Sequence, residues 1–278
     1  MLNEKASGRQ TQTVDVPDTA LAGQSRENAR DQLLGLLKQL IDPLGQSLPA
    51  STEVVLHDLS KLPNSIIAIY GDVTHRSVGD PATDKLLRAM VSGTVKTMLN
   101  YEARLEDGSP LRCSTVVIHD FEGEPFAALC LNTDISVWET AQSIVNAMLP
   151  EGMVHKSSAH TASAQPLSDG AGSDTADAHA PARAKTAQSH PDSESFVRDV
   201  DELAEILLER AISAAHVPVH LMRKAHKVEV VRELRSSGMF MLRDAVDMIA
   251  SALDVSRFTI YNYLNEIETE DGHRDDKS

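Results

Sequence analysis

Cysteine is almost absent from this 278-residue chain, which holds only Cys113 and Cys130. Two thiols give no disulfide framework, so a reducing compartment, the cytoplasm, is expected. Aromatic residues are sparse at 4%, and any core must therefore be aliphatic; a hydrophobic content of 41% is enough to build one. No apolar run approaches the ~20 residues needed to cross a bilayer. The first residues lack the apolar centre of a signal peptide, and no membrane partner is expected. Positive charge is in deficit: the formal net charge is −15. Such a field repels phosphate and excludes a general nucleic-acid coat protein. A glycine-rich phosphate loop, HExxH and CxxC are all missing, so no catalytic residue, metal site or cofactor is expected.

The most informative stretch lies near the C-terminus, at residues 242–267. Ala245, Ile249, Ala250 and Leu253 recur at three to four residues and predict a helix with a small-residue face. Asp254 breaks the period at a position that wants positive φ, which Asp tolerates better than most residues. Ser256 then offers an N-cap, and Ile260, Leu264 and Ile267 predict the buried stripe of a second helix. Its other face is read as Ser256, Arg257, Thr259, Asn262 and Tyr263, short hydrogen-bonding tips suited to DNA base edges. The approach is basic, with seven Lys or Arg from Arg210 to Arg243 against Glu229 and Glu233. That local excess favours duplex DNA despite the acidic whole.

Upstream, residues 1–26 are polar and aperiodic, and disorder is expected. A helix is predicted from about Arg26, stopped by Pro43 and Gly45. Glu53–Leu59, Ser65–Tyr70, Leu111–His119 and Pro125–Asn132 read as strands, with a further extended segment at Tyr101–Arg104. Thr83–Leu99 and Trp138–Leu149 read as helices. Residues 27–150 thus predict an α+β sensor domain, an antiparallel sheet with helices. Residues 151–195 shift to Ala, Ser, Asp, Gly, Pro and His and read as a flexible linker. Its four histidines have no metal-site spacing. Residues 196–268 predict an all-α helix-turn-helix domain, whose stripe Phe196, Val200, Leu203, Leu207, Ala211 and Ala215 suits either core or, the reading preferred, a dimer contact. Residues 269–278 are expected to be a disordered tail.

The words EVVLHDL (53–59), SIIAI (65–69), VTHRSVGDPATD (73–84), LRCST (111–115) and ALCLNTDIS (128–136) resemble, in order, the PAS-like sensor of the YheO-like family. Residues 227–266 resemble the helix-turn-helix paired with it. The resemblance implies a DNA-binding transcriptional regulator, in a family that includes a repressor of D-arginine utilisation. Cys113 departs from the usual Ser, Asp254 from the usual Gly, and the linker is long.

Polar residues within apolar strands and their loops are the effector-site candidates: His57, Asp58, Arg76, Tyr101, Ser114, Thr115, Cys130 and Asn132. Arg76 could fork onto a carboxylate. The expected partners are operator DNA, a small-molecule effector and a second copy of the chain. The alternative is a sensory adaptor whose helical C-terminus binds a protein. A thiol enzyme using Cys130 and His57 is disfavoured, because a thiol within an apolar strand is usually inert.

Overall fold

A computed structural model describes residues 18–148 and 194–275. Residues 1–17, most of the linker with its four histidines, and the last three residues lie outside them, whereas residues 18–26, expected to be disordered, are the start of a helix.

The chain enters as α1, Asp18–Ser47. Leu34 and Ile41 bury one face of this helix against Val54, Leu56, Phe126 and Ala127 of the sheet. Arg26 and Arg30 both donate to Asp120 at the far end of that sheet, anchoring the helix at two points. Pro43 and Gly45 were expected to end the helix, yet it runs through both. A Cβ on Gly45 would lie 2.0 Å from the Tyr70 ring, so glycine is what lets the helix lie on the sheet. Leu44 and Leu48, beyond the proline, pack on the same cluster. This burial outweighs the lost hydrogen bond of a late proline.

Five strands follow: β1 (Thr52–Asp58), β2 (Ile66–Tyr70), β3 (Met98–Arg104), β4 (Pro110–His119) and β5 (Pro125–Asp134). All pair antiparallel in the order β2-β1-β5-β4-β3. Alternation sends neighbouring side chains to opposite faces. Val54 and Leu56 meet α1, whereas Val55 and Cys130 meet Ile66 on the other side. Asp58 and Ser114 alternate to the α1 side, whereas that second face carries His57, Tyr101, Thr115, Cys130 and Asn132.

It is covered by α2, Asp84–Val91, begun by Thr83, whose hydroxyl accepts from Leu86 N–H. The helix expected to reach Leu99 stops eight residues earlier. Gly93 takes φ +64°, and Met98 onward pairs with β4 as an edge strand. Helix periodicity could not reveal a sheet partner that lies later in the chain. The sheet domain closes with α3, Ser136–Met148, which buries no residue.

The C-terminal part is α4 (Val200–Ala214), α5 (Lys224–Ser236), α6 (Ala245–Ala252) and α7 (Arg257–Asp275). Leu203, Leu207, Val231, Leu234, Ile249 and Ile260 share one aliphatic core. Of the stripe read as core or dimer contact, Val200, Leu203, Leu207, Ala211 and Ala215 wall that core, while Phe196 packs beside Ala103, Leu111 and Cys113 of the sheet. Leu87 of α2 joins the same core, so the two parts meet directly. The C-terminus departs from expectation too, because α7 continues as helix well past Glu268. Arg232 pairs with Glu270 and Asp271, and Arg235 with Glu268 and Asp271. These contacts tie the acidic end to α5. Among the described residues, no helix is long and apolar enough to cross a membrane.

Candidate functional site

The helix-turn-helix forms where expected. Asp254 takes φ +50°, the left-handed conformation its position demands. The Ser256 hydroxyl accepts from Thr259 N–H at 3.2 Å, capping α7. Ile260 and Ile267 are fully buried and hold α7 against the core.

Ser256, Arg257 and Asn262 point outward, and Thr259 is half-buried. Tyr263 does not belong with them. It is 7% exposed and sits in the hydrophobic cluster. Three residues separate it from Ile260 and four from Ile267, and this spacing turns it inward. The outward aromatics are instead Phe258 and Tyr261, 73% and 54% exposed. They had been passed over in favour of polar side chains, although helical spacing from Ile260 places them outside.

Arg257 is paired in the free protein, its Nε on Asp247 of α6. The basic approach is largely internal as well. Lys224 pairs with Glu266, Lys227 donates to the Leu253 carbonyl at 2.6 Å, and Arg232 and Arg235 bind the acids of α7. Lys227 thereby satisfies an orphan carbonyl at the end of α6. A charge count along the chain cannot separate cations that hold a helix from cations that meet a phosphate.

The effector candidates fall into three groups. Asp58 is structural: it accepts from the Ser60 backbone and hydroxyl and pairs with Lys61. Ser114 accepts from Asn100 N–H at the sheet edge.

A second group is a buried polar network around Glu53, which is fully buried. Its carboxylate accepts from the backbone of Val73 and Thr74, from the Thr74 hydroxyl and from Asn132 Nδ2. Arg76 stands 4.0 Å from it and donates to Thr74 Oγ1 at 3.0 Å. The Arg76 guanidinium also lies 5.2 Å from the centre of the Phe196 ring. Asn132 and Arg76 are thus engaged with protein groups, although Arg76 Nη1 is buried without a partner. His57 hydrogen-bonds Ser65 at 2.8 Å. Burial and the charge of Arg76 lower its pKa to about 3, so the imidazole is neutral near pH 7.

The third group lines a cavity of about 370 Å³. Tyr101 and Thr115 are in its wall, joined hydroxyl to hydroxyl at 3.0 Å. Cys130 lies one step behind, its Sγ 3.5 Å from Thr115 Oγ1. Burial pushes this thiol up to about 11, far from a ready nucleophile. The remaining wall holds residues the sequence reading missed: Lys85, Lys96 and Glu194 bring charge, and Leu86, Val95 and Met98 are apolar. Lys85 Nζ sits 4.1 Å above the Tyr101 ring. Glu194, read as linker, is 8% exposed, and one of its oxygens accepts from the Thr83 hydroxyl at 2.7 Å. Burial raises its carboxyl above the ordinary value, while Thr83 and Lys85 pull the other way. Composition alone placed Glu194 within the linker, and no local signal marks it.

Comparison with known proteins gives two family matches. Residues 28–150 match the YheO-like PAS domain, and residues 203–265 match an HTH domain. The transcriptional regulator DauR of Pseudomonas aeruginosa is 25% identical over 243 residues, covering 86% of this chain and 97% of DauR. The uncharacterised protein YheO of Escherichia coli K12 is 24% identical over 249 residues, 88% of this chain and 89% of YheO. An uncharacterised protein of Haemophilus influenzae is 23% identical over 240 residues, 86% of this chain and 92% of that protein. No solved structure matches.

Proposed function

We propose that this chain, which pairs a YheO-like PAS domain with a C-terminal HTH domain, is a metabolite-responsive transcriptional regulator that binds its operator as a dimer. The observation that carries the reading is the outward N-terminal end of α7. Ser256, Arg257 and Asn262 are exposed there on a capped helix held rigidly by its own core. Such a helix end fits the major groove and reads base edges. Similarity to a named transcriptional regulator over most of both chains supports it.

A dimer supplies the second half-site that one helix lacks. The apolar residues Val137, Trp138, Ile144 and Val145 of α3 stand exposed and support pairing through that helix. The cytoplasm is the compartment in which such a protein meets the chromosome. The effector is an amino acid or related acid, held on the sheet face opposite α1. It shifts the population between geometries that fit the operator and those that do not.

Arg257 must leave Asp247 to meet a base, and the pair is solvent-exposed, so that exchange costs little. Arg257→Ala and Asn262→Ala are each expected to weaken specific operator binding by about 1–3 kcal/mol at one fixed salt concentration. Mobility shifts on DNA from the chain's own upstream region provide the measurement. Wild-type affinity in both variants removes these residues from the reader.

A second reading is favoured by exposed Phe258 and Tyr261 on α7, together with the internal pairing of the α5 cations. An adaptor that docks a protein through α7 needs that aromatic surface and no free basic patch. Absence of any shift under all metabolite conditions supports the adaptor.

A further inference from the structure

The cavity beside Tyr101 belongs to both parts of the protein. Its floor is β3 and β4, and its side is α2 and the segment after it. Glu194 and Ser236, however, come from beyond the linker. Glu194 opens a short arm that lies on the sensor. Ser195 N–H donates to Asp84 at 2.6 Å, Phe196 packs beside Ala103, Leu111 and Cys113, and Val197 is buried in the C-terminal core.

Thr83 satisfies one carboxylate oxygen of Glu194, and the other is buried without a well-formed hydrogen bond, the Tyr101 hydroxyl and Lys85 lying near enough to favour the charged form. A buried acceptor left unpaired is costly, and each such case calls for a missing partner. The missing partner must donate, and a cation donates best to a carboxylate. Lys85 lies in the same wall, its ammonium over the Tyr101 ring. The Tyr101 and Thr115 hydroxyls, bonded to each other, line the same cavity. Leu86, Ala89, Val95 and Met98 give the cavity apolar wall, Arg88 and Lys96 add further cations, and about 370 Å³ falls at the small end of ligand pockets, roughly 300–1,000 Å³.

We propose that this cavity is the effector site and that it takes a small zwitterion of amino-acid type, with its ammonium on the free Glu194 oxygen and its carboxylate on Lys85. This deepens the regulator reading and rests on it. A keto acid lacks the donor and meets Glu194 as a like charge, so the amine is the selected feature. The bound molecule touches α2 on one side and the arm and α5 on the other. Occupancy therefore strengthens the junction between sensor and reader directly, without a signal crossing the linker. The ligand can shift that junction only by as much as it prefers the docked state.

The test uses the full-length protein and calorimetric titration with each of the common amino acids. Any that binds is followed by its N-acetyl derivative, its amide and its keto acid. At least one amino acid is expected to bind. Its N-acetyl and keto forms, and Glu194→Gln with the parent ligand, should each lose roughly tenfold or more in affinity. Lys85→Met should weaken the parent amino acid but leave the amide unchanged. No binding by any amino acid, or binding indifferent to N-acetylation and to Glu194→Gln, overturns the proposal. Should Glu194→Gln fail to show a wild-type melt, the Lys85→Met pair decides: equal loss for acid and amide overturns it. Mobility shifts on the same wild-type sample separate the two readings. Operator binding without Glu194-dependent ligand binding sinks the cavity alone, whereas absent operator binding sinks the regulator.

Discussion

Single side chains in this protein behave according to what faces them, not according to type. His57 is a case with a measurable consequence. It is buried in β1 against Ser65, and its pKa falls from 6.5 to about 3. The unfolded chain takes up a proton near 6.5 and the folded chain does not until about 3. Between those values the unfolded state binds more protons, so folding stability falls as pH drops through that window and is fully present above it. From pH 7 to pH 5 the expected loss from this residue is about 2 kcal/mol. Urea unfolding of the wild type and His57→Asn at the two pH values measures it, and the variant should show the flatter profile. An equal slope in both proteins rules the buried imidazole out as a source of acid sensitivity. The same dependence on surroundings explains Tyr263. Its hydroxyl suggested a place beside Asn262, but helical geometry directs the ring into the core, and Phe258 and Tyr261 take the surface.

At the scale of elements, two departures from expectation are helices that continue where local sequence says stop. Both are held by partners distant in sequence. The acidic end of α7 is strapped to α5 by Arg232 and Arg235. The α1 helix passes Pro43 because its last turns lie on the sheet. Gly45 is the contact point, since a Cβ there meets the Tyr70 ring well inside van der Waals contact. Gly45→Ala is expected to destabilise the protein by about 1–3 kcal/mol through overpacking, even though alanine is the better helix former. Chemical denaturation of Gly45→Ala, Tyr70→Ala and the double variant tests this. The two effects should be strongly non-additive, because removing the ring removes the clash. Simple additivity would locate the cost elsewhere.

For the whole molecule the decisive feature is the junction of the PAS and HTH parts. Asp84, at the first turn of α2, receives Ser195 N–H and the guanidinium of Arg210 from α4. Beside it Arg88 pairs with Glu233 at 2.7 Å, and Gly238, at φ +85°, leaves room for Leu87. Losing a partner at a part-buried charge strands the rest. Asp84→Ala is accordingly expected to cost about 1–3 kcal/mol and to split one unfolding transition into two. Calorimetry distinguishes the outcomes, and a single unshifted transition would show that the docking does not depend on this pair.

Read alone, the amino-acid order settles the alternating strands, the capped two-helix reader with Asp254 in its turn, and the division into a sheet-based part and a helical part. These depend on period, caps and turn chemistry, which act within a few residues. Tertiary structure alone decides which cations are left for a partner, which tyrosine faces outward, where α1, α2 and α7 end, and that Glu194 lines a cavity on the sensor. Each of those is set by a group far away in the chain, and neither composition nor periodicity carries information about distance in space.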